Sequence, residues 1–293
     1  MKYRVLLSVL FSLLLVWQAC DIIEEPYIDK RNGNVGNDTV IVVKKRVLIE
    51  EFTGHDCPYC PGGAVAIEDI LSVYGDQVVV VTIHAPWQGR PMPPTFPDDY
   101  RTTFGNTLDN FFGMEGSGLP KGMVNRVGYP DNHRLGPSLL QGSVIEALKG
   151  DPLLDVQIGV DFQPANRLAN IEVNVSTLEE LQRQLMLSVF ITEDSLVSPQ
   201  KNNNASIGPT PVIHDYVHRH VLRTSVDNST WGAVLCDGSA LIAEGTQYER
   251  KFQYTLPEPW KEHHCAVVAF VYDGNTYEVL QVAEMKVHKT ASK

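Results

Sequence analysis

Apolar residues recur along this chain with two different periods, and the change falls near its middle. In the first half the run Val47-Leu48-Ile49 ends in Glu50-Glu51-Phe52, which predicts a strand. After a short link, Ala64, Ile67, Leu71 and Tyr74 repeat every three or four residues with Ile70 beside them, so they share one helical face. Gly75 stops that helix. The stretch Gln77-Val78-Val79-Val80-Val81-Thr82-Ile83 predicts a strand covered on both faces, as in a parallel sheet flanked by helices. Asp98 or Asp99 is placed to cap a further helix whose stripe is Tyr100, Phe104, Leu108 and Phe111. A last helix opens at Pro137, runs through Leu140, Val144, Ile145 and Leu148, and closes at Gly150.

From residue 151 the period becomes two. Leu154 to Phe162, Ala169 to Val175, Leu185 to Ile191 and Tyr248 to Leu256 alternate apolar with polar positions, Arg250 being the interruption. Such alternation marks half-buried antiparallel strands. Ala266 to Tyr272 and Tyr277 to Ala283 flank Asp273-Gly274-Asn275, a hairpin signal. Strands of this kind separated by turn residues predict an immunoglobulin-like sandwich. The expected organisation is therefore an α/β domain over 46–150 followed by an all-β immunoglobulin-like domain over 151–293. Lys201 to Ile207 and Val226 to Trp231 read as loops.

The chain begins differently. Met1-Lys2-Tyr3-Arg4 is a basic head and Val5 to Val16 is almost wholly apolar, too short to span a bilayer but suited to a signal peptide over 1–19. Residues 20–45 are rich in Gly, Asn and acid and read as a tether, with a short edge strand at Thr39 to Val43. Net charge is −11, and losing Lys2 and Arg4 with the leader gives −11 − 2 = −13. Nucleic acid and anionic membrane surfaces are not expected as partners, because each needs a basic patch and none stands out in the sequence.

The candidate chemistry lies in the link after the first strand, Thr53-Gly54-His55-Asp56-Cys57-Pro58-Tyr59-Cys60. A thiol at the first turn of a helix faces unpaired N–H groups and the positive dipole end, so Cys57 is the more acidic and nucleophilic cysteine. Cys60, one turn on, is placed to resolve a mixed disulfide. The same spacing also serves a static disulfide, or half of a zinc site that lacks its other ligands here. Gly62-Gly63 weakens the helix start by about 1 kcal/mol per glycine. The proline-rich insertion Pro91 to Pro97 is a lid, a binding surface or a plain exposed loop. Cys236 and Cys265 form a second disulfide or stay buried as thiols. If Val217 to Arg223 is one strand, His218 and His220 share a face, but spacing supplies no third ligand. No metal or cofactor is assigned.

Cys57-Pro58-Tyr59-Cys60 resembles the thioredoxin superfamily, with the inter-cysteine pair of glutaredoxins. That resemblance implies a thioredoxin-like fold for the first domain, a proton-relay role for Glu51 six residues before Cys57, and a cis-proline at Pro120 in Gly118-Leu119-Pro120. Asp56 replaces the family's tryptophan, which leaves partner and redox direction open. Ala19-Cys20 at the end of the leader resembles a bacterial lipoprotein cleavage site, which implies a lipid on Cys20 and accounts for the odd one of five cysteines. Taken together, the leader, the segment Leu48 to Cys60 and the ending Val279-Leu280-Gln281-Val282-Ala283 resemble the outer-membrane protein 28 family. This implies an extracytoplasmic outer-membrane location through the lipid on Cys20. Two functions follow as expectations: thiol–disulfide exchange on a protein client, or binding of a surface ligand with Cys57–Cys60 as a structural bond.

Overall fold

The structure is a computed structural model and describes residues 43–288. The signal segment, Cys20, and nearly all of the tether and its edge strand lie outside the described residues. Fifteen strands are described: β1 Val47–Thr53, β2 Val78–His84, β3 Lys121–Val124, β4 Leu154–Gln163, β5 Leu168–Thr177, β6 Leu185–Glu193, β7 Leu196–Val197, β8 Gln200–Lys201, β9 Val212–Ile213, β10 Val217–His218, β11 Val221–Ser225, β12 Ala233–Cys236, β13 Gln247–Thr255, β14 Cys265–Asp273 and β15 Val279–Lys286. Three α-helices accompany them: α1 Cys60–Tyr74, α2 Thr103–Phe112 and α3 Pro137–Ala147. Strand therefore outweighs helix.

The predicted strands of both halves form, but residue 150 does not separate two sheets. One eight-stranded sheet runs β15-β14-β6-β11-β2-β1-β3, with β12 also on β6. Its junction is β11 beside β2, parallel, at Val221↔Thr82. The physical reason is the composition of β2: apolar on both faces and lying between β1 and an open side, it needs a second neighbour for its backbone groups. The described residues, 43–288, accordingly cluster as one unit.

Alternation along the strands sorts the core into layers. Leu48, Phe52, Val79, Val81, Phe190, Leu222, Val268 and Phe270 face α2 and its flanking loops. On the opposite face Val47, Ile49, Val78 and Val80 meet Ile67 and Ile70 of α1 and Leu140 and Val144 of α3. Further along, Leu187, Val189, Val267 and Ala269 meet the second sheet, β13-β5-β4. The strands of the second half are thus divided between sheets of their own and the sheet that carries the first half.

Several local expectations are corrected. Neither Asp98 nor Asp99 caps α2: Thr102 does, its Oγ1 accepting from Gly105 N at 2.8 Å, while Asp99 holds the Arg101 guanidinium. The buried face of α2 is Gly105, Leu108, Asp109 and Phe112, one position off the predicted stripe, because Tyr100 precedes the helix and Phe111 turns outward. Val217 to Arg223 is two strands rather than one, broken at Arg219-His220, where His220 takes a positive φ of 52°. His218 and His220 therefore share no strand face.

Candidate functional site

β1 and β2 run parallel with Thr53 opposite His84, so the loops leaving both strands emerge together. Cys57 sits in the loop after β1 and Cys60 opens α1. The two are joined by a disulfide with Cα atoms 5.5 Å apart. The loop is fixed by Cys57 N donating to Gly54 O at 3.0 Å and Asp56 N to Gln88 O at 2.9 Å. Pro61 occupies the first helical turn without loss of a hydrogen bond.

Two other sequence-predicted residues arrive at the same place. A methyl group on Gly63 would lie 2.9 Å from Pro120 Cβ and 3.0 Å from Glu51 Oε1. Gly63, read from sequence only as a weak point of the helix, is therefore what lets Pro120 and Glu51 approach its first turn. The Leu119–Pro120 peptide is cis, and β3 follows it antiparallel to β1, with Glu51 opposite Gly122.

The structure adds something that no spacing announced. Residues 196–218 leave the sheet as a hairpin arm, closed by β7 on β10 and β8 on β9, and lie over the cysteine loop. Gln200 Nε2 donates to Cys57 O at 2.9 Å and Gly54 O at 3.2 Å. Lys201 N donates to His55 O at 2.9 Å and Asn203 N to Pro58 O at 3.0 Å, while the Lys201 ammonium pairs with Asp56. Cys57 is left 1% exposed and Cys60 2%, whereas Tyr59 between them is 64% exposed. The arm tip is organised by Asn202, whose amide donates to Asn204 O and Gly208 O, both at 2.9 Å. A run of asparagines carries no period, which is why the sequence read only a loop.

Below the loop, Glu51 is buried with one long hydrogen bond, from Thr82 Oγ1 at 3.3 Å. Burial raises its carboxyl to about 7; Glu68 pushes the same way and Thr82 opposes. Three histidines cluster beside it. His84 lies 5.3 Å from His218 and 6.4 Å from His55 between ring centroids, and His55 stacks on Phe96 at 5.3 Å. Burial pushes His218 down to about 4 and His84 well below the usual range, with His218 and His55 adding to the shift at His84. Burial lowers His55 too, so all three are neutral at pH 7. The insertion reaches this cluster through Phe96, and Arg90 just before it accepts at its carbonyl from His55 Nε2 at 2.6 Å.

Cys236 and Cys265 are free thiols. Along β6 their partners are Leu185 and Glu193, opposite ends of a strand spanning about 26 Å, so the second disulfide does not form. Among the described residues the trio of donors close enough for one ion is Glu262, His263 and His288; Arg167 already holds Glu262 at 3.1 Å. Among the described residues no helix is long and apolar enough to cross a membrane.

The family model described as Outer membrane protein Omp28 matches residues 106–291, more than half of the chain. The chain belongs to the Omp28 family. It is accordingly an outer-membrane or envelope protein. The match begins at Asn106 and so leaves out the cysteine pair. Among solved structures, the chain is similar to HBP35 of Porphyromonas gingivalis at 18% identity and TM-score 0.62, covering 85% of this chain and 78% of that one. It is also similar to a protein from Agrobacterium tumefaciens at 10% identity and TM-score 0.51, covering 86% and 98%. Both likenesses concern fold. A domain of the outer membrane lipoprotein Omp28 from Porphyromonas gingivalis shares 20% identity over 47% of this chain and 89% of that one, at TM-score 0.31. Among curated proteins no match is found.

Proposed function

We propose that this Omp28 protein is a lipid-anchored envelope protein that acts through its surface, with Cys57–Cys60 as a shielded structural bond. In this reading the lipid sits on Cys20, a thioredoxin-like module is formed by β1, α1, β2, β3 and α3, and an immunoglobulin-like sandwich is appended to it. The observation that carries the proposal is the near-complete burial of both sulfurs under the arm. Exchange requires a thiolate in line with a disulfide sulfur, and both cysteines are buried while Gln200, Lys201 and Asn203 hold the arm on the carbonyls of the cysteine loop.

The test is graded reduction followed by alkylation, compared in buffer and in urea. A structural bond has a potential below about −300 mV and resists native reduction. Reduction as fast in buffer as in urea would overturn the reading.

A second reading is favoured by one specific observation, the convergence of Glu51 and Pro120 on Gly63. Here the arm lifts, the reduced Cys57 thiolate attacks a client disulfide and one client sulfur leaves as thiolate. Cys60 then attacks Cys57 and releases the second, so the pair is oxidised as the client is reduced. Glu51 takes the Cys60 proton and Pro120 aligns the client chain. A client trapped covalently on Cys60→Ser protein in cells would establish it.

A further inference from the structure

Beside the disulfide, between α1 and the segment Tyr216–His220, lies a cavity of about 300 Å³. Its floor is Glu51 and Thr82, and its walls include Pro61, Ala64, Ile207 and Val217. Near its mouth Arg219 and Glu68 pair at 3.4 Å. The space is polar at one end, apolar along its sides and of a size for a small ligand.

The polar end lacks a cation. Glu51 accepts only from Thr82, its Oε1 is buried without a partner, and no Lys, Arg or His among the described residues forms an ion pair with it. A buried carboxylate without a cation is costly, and one that gains both a charge and hydrogen-bond donors is stabilised. The surroundings point the same way. Charged or titratable groups facing Glu51 across the cavity are Glu68 and Asp69 on α1, and Tyr216, His218, Arg219 and His220 on the opposing segment. Arg219 is engaged by Glu68, and His218 is neutral. Tyr216 is raised above its usual range, first by burial and then by the charges of Glu51 and Glu68, with Arg219 opposing.

We infer that this cavity is a binding site for a primary alkylammonium group, its charge set against Glu51 and its alkyl chain along Pro61, Ala64 and Val217. The group is carried either by a free aliphatic amine or by a lysine side chain of another protein. The inference uses neither the reduction nor the cycling of the disulfide, and so stands apart from both readings above.

The experiment is calorimetric titration of the full chain, disulfide intact, with n-butylammonium and with n-butanol as the neutral isostere. The expected result is saturable binding of the amine alone. Since the carboxyl titrates at about 7, affinity rises about tenfold between pH 6 and pH 8. Glu51→Gln abolishes both the binding and the pH dependence. Ala64→Phe fills the cavity from the helix face and abolishes binding with the carboxyl in place, so a folding defect in one variant does not decide the matter. Nα-acetyl-lysine amide binding as well as butylammonium identifies a lysine side chain as an acceptable source; binding of butylammonium alone restricts the site to free amines. No saturable binding, equal binding of butanol, or unchanged binding in Glu51→Gln overturns the inference.

Discussion

Glu50 and Glu51 are adjacent on one strand and both buried, yet their surroundings are opposite. Strand pleating sends them to different faces of the sheet. Glu50 meets the Arg126 guanidinium in a two-pronged contact at 2.6 and 2.7 Å, with the rings of Phe112, Phe270 and Tyr272 about the cation. Glu51 meets one hydroxyl and a cavity. The first carboxylate is fully matched and serves the core; the second is left unmatched beside the disulfide. A buried acid is thus a candidate for function when its neighbours fail to complete it, and burial alone does not make that distinction.

The largest effect that would sharpen this contrast is at Arg126. Arg126→Met leaves Glu50 buried and alone, and we expect a loss of about 3–5 kcal/mol in urea unfolding. Adding Glu50→Leu restores much of it; a double variant as unstable as the single one would break the account of the pair. Next comes Glu51. Its carboxyl rises from an ordinary 4.5 to about 7 on folding, so its contribution is complete below pH 4.5 and is lost as pH rises through 7. That loss is roughly 3 kcal/mol, and Glu51→Gln removes this fall from the stability profile. His218 acts in the opposite sense. Its folded value of about 4 lies below 6.5, so its contribution is present above 6.5 and lost as pH falls through 4. His218→Asn therefore flattens the acid limb and leaves the neutral one.

A smaller effect concerns the arm. Gln200→Ala strips a buried donor from the carbonyls of Cys57 and Gly54, costs about 1–3 kcal/mol, and speeds dithiothreitol reduction of Cys57–Cys60 in native buffer. An unchanged rate would mean that the arm does not guard the bond. Smallest is Cys236→Ser, expected within about 0.5 kcal/mol of the parent, with non-reducing mobility unaltered.

Much of this architecture could be read from periodicity. The helix Cys60–Tyr74, the alternating strands β4, β5, β6 and β13, and the hairpin around Gly274 follow from which positions are apolar. The placement of Cys57, Glu51 and Pro120 near one another came from a motif resemblance. Pairings between distant segments stayed hidden. Arg126 meets Glu50 across 76 positions, and β11 reaches β2 through a single register pair, so neither leaves a local pattern. The arm was unreadable because its strands are two residues long and its shape rests on side-chain amides such as Asn202 and Gln200. Thr102 does not stand out as a cap because two aspartates lie closer to the expected helix start.

The insertion of β11 beside β2 has a consequence for anyone dissecting the protein. A fragment ending near residue 150 would lose the β11 partner that β2 has at Thr82 and leave that side of a largely apolar strand uncovered, a template for pairing with further copies. The first half cut from the second is therefore expected to self-associate through β2.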